Sequence, residues 1–218
     1  MILLSAWFDP AFEGLGYTVS RIELLSVMAG ITAVYLAAKE KILTWPIGLI
    51  NIVTAFFIYY HVHLYSDMFL QIYFFGISIY GWTVWRNEKR EKLPLKWMDM
   101  QQRVIWAIVI AIFSMSLGLF MNKIHFIFPN AFPNPAAFPF ADTLVAVASI
   151  AANTLMAKRY IENWILWIGI DVICVFLYFE KDIVFIALEF LVFLVLACYG
   201  LAEWIRLHNI QKGRSNPA

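Results

Sequence analysis

Charge is what this chain has least of. Only 14% of its 218 residues are Asp, Glu, Lys or Arg, against 62% hydrophobic ones. A mean hydropathy of +0.74 leaves too little polar surface to face water, so a soluble globular domain is excluded and the solvent is lipid. A formal net charge of +1 gives no reason to expect a nucleic-acid partner. Cysteine is nearly absent as well: Cys174 and Cys198 both fall inside apolar runs, which argues against a disulfide framework. No cluster of His, Cys, Asp and Glu stands at ligand spacing, so neither metal nor cofactor is expected. An HExxH motif, a Ser–Lys or Cys–His pair at helical spacing and a phosphate-cradling Gly loop are all missing, which excludes the usual intramembrane enzymes. Scattered single amides supply neither the ring of like charges nor the carbonyl filter of an ion channel. The first residues, Met1 to Pro10, are apolar but lack a basic leader and contain Asp9. They read as a short interfacial helix rather than a signal peptide.

What is there in abundance is long apolar runs. Crossing about 30 Å of hydrocarbon takes roughly 20 helical residues, and seven segments qualify: Ile22 to Ala38, Leu43 to Tyr60, Met68 to Trp85, Val104 to Met121, Ala141 to Ala157, Trp164 to Phe179 and Ile183 to Ile205. The class is all-α and polytopic. Basic residues sort by loop, 13 on one side and only Arg21, Lys123 and Lys181 on the other. Lys and Arg accumulate in the cytoplasm, so the amino terminus is placed outside and the carboxyl terminus inside a plasma membrane.

Sliding the sequence against itself by 119 matches residues 25–85 to 144–204 without a gap, with 16 of 61 positions identical. The identities include Lys39 with Lys158, Trp45 with Trp164, Tyr59 with Tyr178, Gly81 with Gly200 and Trp85 with Trp204, which lipid composition alone does not place. Two three-helix units joined directly would be inverted. The intervening span restores a parallel orientation, and its only clearly polar side chains are Ser114 and Ser116. The expected plan is therefore 3+1+3 and SWEET-like: an outer segment 1–21, a first repeat 22–85, a basic loop 86–103, a linker helix 104–122, a Pro- and Phe-rich outer loop 123–140, a second repeat 141–205 and a tail 206–218. Parallel repeats of this kind hold solute between them near mid-membrane. The outer loop is too broken by proline to span; it is expected to lie along the interface, with a lid over the outer entrance as the lesser alternative.

An amide or carboxylate inside a span marks a face turned to protein, water or ligand. Asn51, Gln71, Ser78, Asp142, Ser149, Asn153, Asn163, Asp171 and Glu189 are of this kind. Helical spacing groups them. Gln71, Ser78, Trp82 and Trp85 form one stripe, Asp142, Ser149, Asn153 and Met156 another, and Trp164, Trp167, Asp171 and Tyr178 a third. Amides, a carboxylate and indoles on shared faces suit a flat, partly polar ring. The blander reading of each amide and hydroxyl is a helix-to-helix hydrogen bond. Trp45, Trp85 and Trp204, at span ends, read as interfacial belt residues. His61 and His63 fall in an outer loop and face headgroups.

Thr44 to Gly48 (TWPIG), Leu64 to Gln71 (LYSDMFLQ), Ile79 to Trp82 (IYGW), Phe138 to Asp142 (FPFAD) and Lys158 to Trp167 (KRYIENWILW) leading to Asp171 together resemble the Pnu-type bacterial vitamin transporters, most of all their PnuC nicotinamide riboside branch. The resemblance covers nearly the whole chain. It implies facilitated diffusion of a vitamin precursor across the bacterial inner membrane, trapping by a cytosolic kinase on the way to NAD, and a homotrimer. It implies a substrate region at Gln71, Asn153, Asn163, Trp164, Trp167 and Asp171. Polar side chains inside apolar spans add Asn51, Ser78 and Glu189 to that set. Where this chain has Asn153 the family often has the longer Gln, so thiamine, the PnuT substrate, and riboflavin, of a third branch, stay open. The leading expectation is an alternating-access uniporter. Its rivals are a proton-coupled version using Asp171 or Glu189 as carrier, and a scaffold that transports nothing.

Overall fold

In the computed structural model, described over residues 7–14, 17–61, 65–87, 94–130, 135, 138–180 and 184–215, the chain is helical apart from one hairpin. Strands β1 (Pro10–Gly14) and β2 (Tyr17–Ser20) pair antiparallel, Pro10 opposite Ser20. Of the interfacial helix expected at the start only residues 7–10 are described. These four form a turn running into β1 rather than a helix, and residues 1–6 lie outside the described residues. Pro10 lacks an amide hydrogen, which suits a strand edge better than a helix interior.

Seven helices follow: α1 (Arg21–Ala38), α2 (Thr44–His61), α3 (Tyr65–Asn87), α4 (Met100–Ile127), α5 (Pro139–Ala157), α6 (Glu162–Glu180) and α7 (Val184–Ser215). Five of them, α1, α4, α5, α6 and α7, are long and apolar enough to cross a membrane. The other two, 18 and 23 residues long, reach as far, but carry the Asn, Gln, Trp and Tyr that lower hydropathy. Capping boxes open α1, where Ser20 and Glu23 exchange bonds, and α4, where Asp99 and Gln102 do the same. Helix α4 is longer than its apolar run and takes in Lys123 to Ile127, the first part of the expected outer loop. Residues 131–134 and 136–137 of that loop lie outside the described residues.

Packing runs α1 to α2 to α3, then α3 to α5, then α5 to α6 to α7, and α7 back to α1; α4 stands outside this circuit against α5. Both ends that carry the short basic turns, after α1 and after α5, lie together, and we call this the basic end. Each turn contains one residue in the left-handed region, Glu40 (φ 52°) and Arg159 (φ 63°), at a cost of about 1–2 kcal/mol apiece for a residue with a Cβ.

The core at this end is made of indoles. Trp45, Trp85, Trp204 and Trp164 form a row with ring centroids 5.3, 6.3 and 5.7 Å apart, the outer two pairs edge-to-face. Trp45 lies over Gly81 and Trp164 over Gly200. Trp85 Nε1 donates to the Ala157 carbonyl at 3.3 Å, and Trp204 Nε1 donates to that of Ala37 at 3.0 Å. These are not belt residues. Glycine on the neighbouring helix leaves a slot that takes the whole ring, and a buried ring gains more than one at the interface. His61, the last residue of α2, stacks on Phe8 at 4.2 Å instead of standing in a loop, and His63 lies outside the described residues.

Candidate functional site

Helix α6 carries the densest set of functional candidates. Its first turn holds Asn163 and Trp164, both fully enclosed. Asn163 Nδ2 donates to the Tyr160 carbonyl at 2.7 Å, closing the turn, while its Oδ1 and the Nε1 of Trp164 have no hydrogen-bond partner among the described residues. Seven residues on, hence on the same face as Trp164, Asp171 is the tenth of 19 residues in the helix and only 3% exposed. Its carboxylate has neither an ion pair nor a hydrogen bond among the described residues. Trp167 lies between the two and packs against Ala148, Ala152, Ile170 and Cys174, where α5 meets α6.

The remaining candidates divide by what they touch. Asn51 spends its amide on α1, donating to the Ser26 carbonyl at 2.9 Å and to Ser26 Oγ at 3.1 Å. Gln71 and Ser78 are buried on α3, in line with Trp85. Gln71 also borders a cleft of about 290 Å³ with Ile52, Val53, Phe56, Phe57 and Phe75. Two residues beyond it, Tyr73 Oη and Thr154 Oγ1 are 2.7 Å apart, which puts Gln71 and Asn153 at one level of the bundle on the packed helices α3 and α5. Asn153 and Glu189 are half-buried, and Asp142 alone of the polar stripes is exposed. A larger cleft of about 580 Å³, lined by Ala141, Val172, Ile173, Val175, Phe176, Leu177, Phe179 and Leu194, offers no hydrogen-bonding side chain and reads as a lipid-facing groove.

Residues aligned at offset 119 fall into two groups. The indoles and glycines at the basic end keep their identity at offset 119. The polar candidates do not: Asn51 faces Ile170 in the alignment, Gln71 Phe190, Ser78 Ala197, Asn153 Val34, Asn163 Thr44, Trp167 Gly48, Asp171 Ile52 and Glu189 Leu70. The polar groups are thus distributed asymmetrically between the two matching segments.

Two features were not anticipated from the residues. Segment 94–99 lies across the basic end: Lys96 N donates to the Arg159 carbonyl at 3.2 Å, Ile161 N donates to that of Lys96 at 3.0 Å, and Leu95 is buried among the indoles. Glu162 Oε1 accepts from Met98 N and from Arg103 Nε, both at 2.9 Å. The other is an ion pair between Arg159 and Glu40 at 2.7 Å. The Asp99 capping box was the readable sign that residues before the linker helix are ordered.

The family model described as nicotinamide mononucleotide transporter matches residues 20–206. The chain is similar to the nicotinamide riboside transporter PnuC of Escherichia coli (strain K12), 31% identical over 211 residues with 87% of each chain covered. It is 25% identical to the protein of the same name from Haemophilus influenzae, over 86% of this chain and 80% of that one. The riboflavin/roseoflavin transporter RibM of Streptomyces davaonensis is 20% identical over 84% of this chain and 83% of its own length. Among solved structures, a crystal structure of the vitamin B3 transporter PnuC matches with a TM-score of 0.66 at 21% identity, over 87% of this chain and 82% of that one, a likeness of fold.

Proposed function

From the premise that this chain belongs to the nicotinamide mononucleotide transporter family, a family of membrane transporters and not of enzymes, we propose that it carries nicotinamide riboside across the bacterial inner membrane by facilitated diffusion. In this reading the two three-helix repeats of a 3+1+3, SWEET-like bundle rock about an axis along the membrane normal, and the solute sits between them. The basic end, with 13 of 16 Lys and Arg, is cytoplasmic, and the amino terminus lies outside. A cytosolic kinase removes the substrate by phosphorylating it, and the protein works as a homotrimer.

The observation that carries the proposal is Asp171. A carboxylate deep in a membrane helix, with no partner among the described residues, costs several kcal/mol unless something positive meets it. Nicotinamide riboside brings a flat cationic ring, which an indole can stack upon and a carboxylate can pair with. About two helical turns away, Asn163 Oδ1 and Trp164 Nε1, enclosed and without a hydrogen-bond partner among the described residues, supply an acceptor and a donor. The same residues speak against the phosphorylated nucleotide in the family's description, because the middle of the spans holds no Lys or Arg to take a phosphate. Thiamine is also a flat cation and is the second reading. Riboflavin is neutral and leaves the carboxylate unanswered.

A thermal-shift series on the detergent-solubilised protein tests this. Nicotinamide riboside at 100 times its Kd stabilises the folded state by about 2.7 kcal/mol, and neither thiamine nor riboflavin does so. A shift with thiamine alone replaces the substrate, and no shift with any of the three rejects the vitamin reading.

A further inference from the structure

The two residues with left-handed backbones, Glu40 and Arg159, are 119 apart, which makes them repeat mates. They also touch. Arg159 Nη2 lies 2.7 Å from Glu40 Oε1, with the side chains 2% and 6% exposed. Mates can meet each other only where the relation between the repeats brings equivalent positions together. At that place two identical charges would repel, and this chain has one of each sign instead.

The pair does not stand alone. The Arg159 guanidinium lies over the Trp85 ring at 4.9 Å, and on either side an indole of one repeat donates to a carbonyl of the other. The strap at 94–99 closes over it through the Arg159 carbonyl. The two indole bonds and the strap thus adjoin this contact, while Lys39 and Glu203 form a second, more exposed ion pair between the repeats at 3.6 Å. An apolar contact of the same volume would hold the halves together at least as well, because a buried ion pair gains little over its desolvation. What the charges add is reversibility. When the halves part, water rehydrates both groups, whereas separated apolar faces gain nothing from water. Such a contact suits a seal that must open as well as close.

We propose that the Glu40–Arg159 pair is the inner latch of the transport pathway, parting to let the substrate leave at the basic end and re-forming to close it. The proposal rests on the rocking-bundle reading above. It assigns both residues a positioning role in the conformational cycle, with no contact to substrate.

The test uses a reporter cysteine in place of Thr44, a buried residue at the start of α2 similar in volume to cysteine, in the full chain carrying C174A and C198A. In reconstituted vesicles a membrane-impermeant maleimide is supplied on the side of the basic end. E40Q is expected to label about tenfold faster than the parent, the change that about 1.4 kcal/mol of weakening in the closed state produces. R159Q is expected to do likewise, and the swap E40R/R159E returns the rate towards the parent's. Each variant must keep a cooperative melting transition, so that unfolding is not read as opening. Unchanged labelling in E40Q and R159Q, or a swap that labels as fast as the single variants, overturns the latch and leaves a static strut. The thermal shift with nicotinamide riboside, measured on the parent alongside, reports on the vitamin reading and not on the latch, so failure of one is not mistaken for failure of the other.

Discussion

Replacing Gly200 by alanine puts the packing of the indole layer to a direct test. A Cβ built there stands 2.6 Å from Cη2 and Cζ3 of Trp164 and 2.7 Å from Cε2, well inside van der Waals contact. The ring cannot retreat, since it is 1% exposed and held edge-on to Trp204 at 5.7 Å. Overpacking of this kind costs about 1–3 kcal/mol. The substitution itself, away from any clash, stabilises a helix by about 0.4–1 kcal/mol by restricting the unfolded chain. Gly76 and Gly169 supply that reference, because a Cβ at either meets nothing within 4 Å. At about 2–4 °C per kcal/mol for a chain of this size, G200A should melt several degrees below the parent, while G76A and G169A melt at or slightly above it. G81A should behave as G200A does, since its Cβ would run into Trp45. Thermal melting in one detergent, followed by tryptophan fluorescence, reads all four. A G200A variant that melts with G169A would refute the claim that the glycines exist to admit the rings.

Other consequences are quicker to state. Asn51→Ala removes a bond to Ser26 and should lower stability by about 0.6 kcal/mol, the average for hydrogen bonds between membrane helices, while leaving vitamin affinity unchanged in a binding titration; a loss of affinity would return Asn51 to the site. Trp85→Phe and Trp204→Phe each forfeit an indole N–H to a carbonyl of the other repeat, and each should cost about 1 kcal/mol in denaturation. Uptake into vesicles without a kinase should equilibrate the vitamin and ignore an imposed pH gradient; accumulation that follows the gradient would establish proton coupling instead.

Which parts of this were legible in the residues follows from how each feature is encoded. The helices announce themselves because lipid demands a continuous apolar run, and each observed helix overlies an expected span. Where α4 and α7 run on beyond their apolar runs, the added residues mix polar side chains with scattered apolar ones such as Ile124, Phe126, Leu207 and Ile210, and capping and propensity, which hydropathy does not register, extend the helix. Trp45, Trp85 and Trp204 misled because an indole near a span end has the same local sequence whether it turns to the headgroups or inward. The matching Trp…Gly pairs at offset 119 were the sign that these rings pack. The hairpin before α1 is four or five residues a side, too short for periodicity to register. Glu40 and Arg159 escaped notice because their meeting depends on how the repeats dock, which no local pattern states. Asp171 stood out because a carboxylate in an apolar run always needs an answer.

The central claim is that Asp171 answers the positive charge of a flat solute. Nicotinamide riboside is cationic and its reduced dihydro form is neutral with nearly the same shape, so a titration calorimeter can compare the two on the parent protein and on Asp171→Asn. The parent should bind the cation at least about tenfold more tightly, some 1.4 kcal/mol, and the asparagine variant should bind both forms alike. Equal affinity for the two forms in the parent, or a preference that survives in the variant, would contradict it.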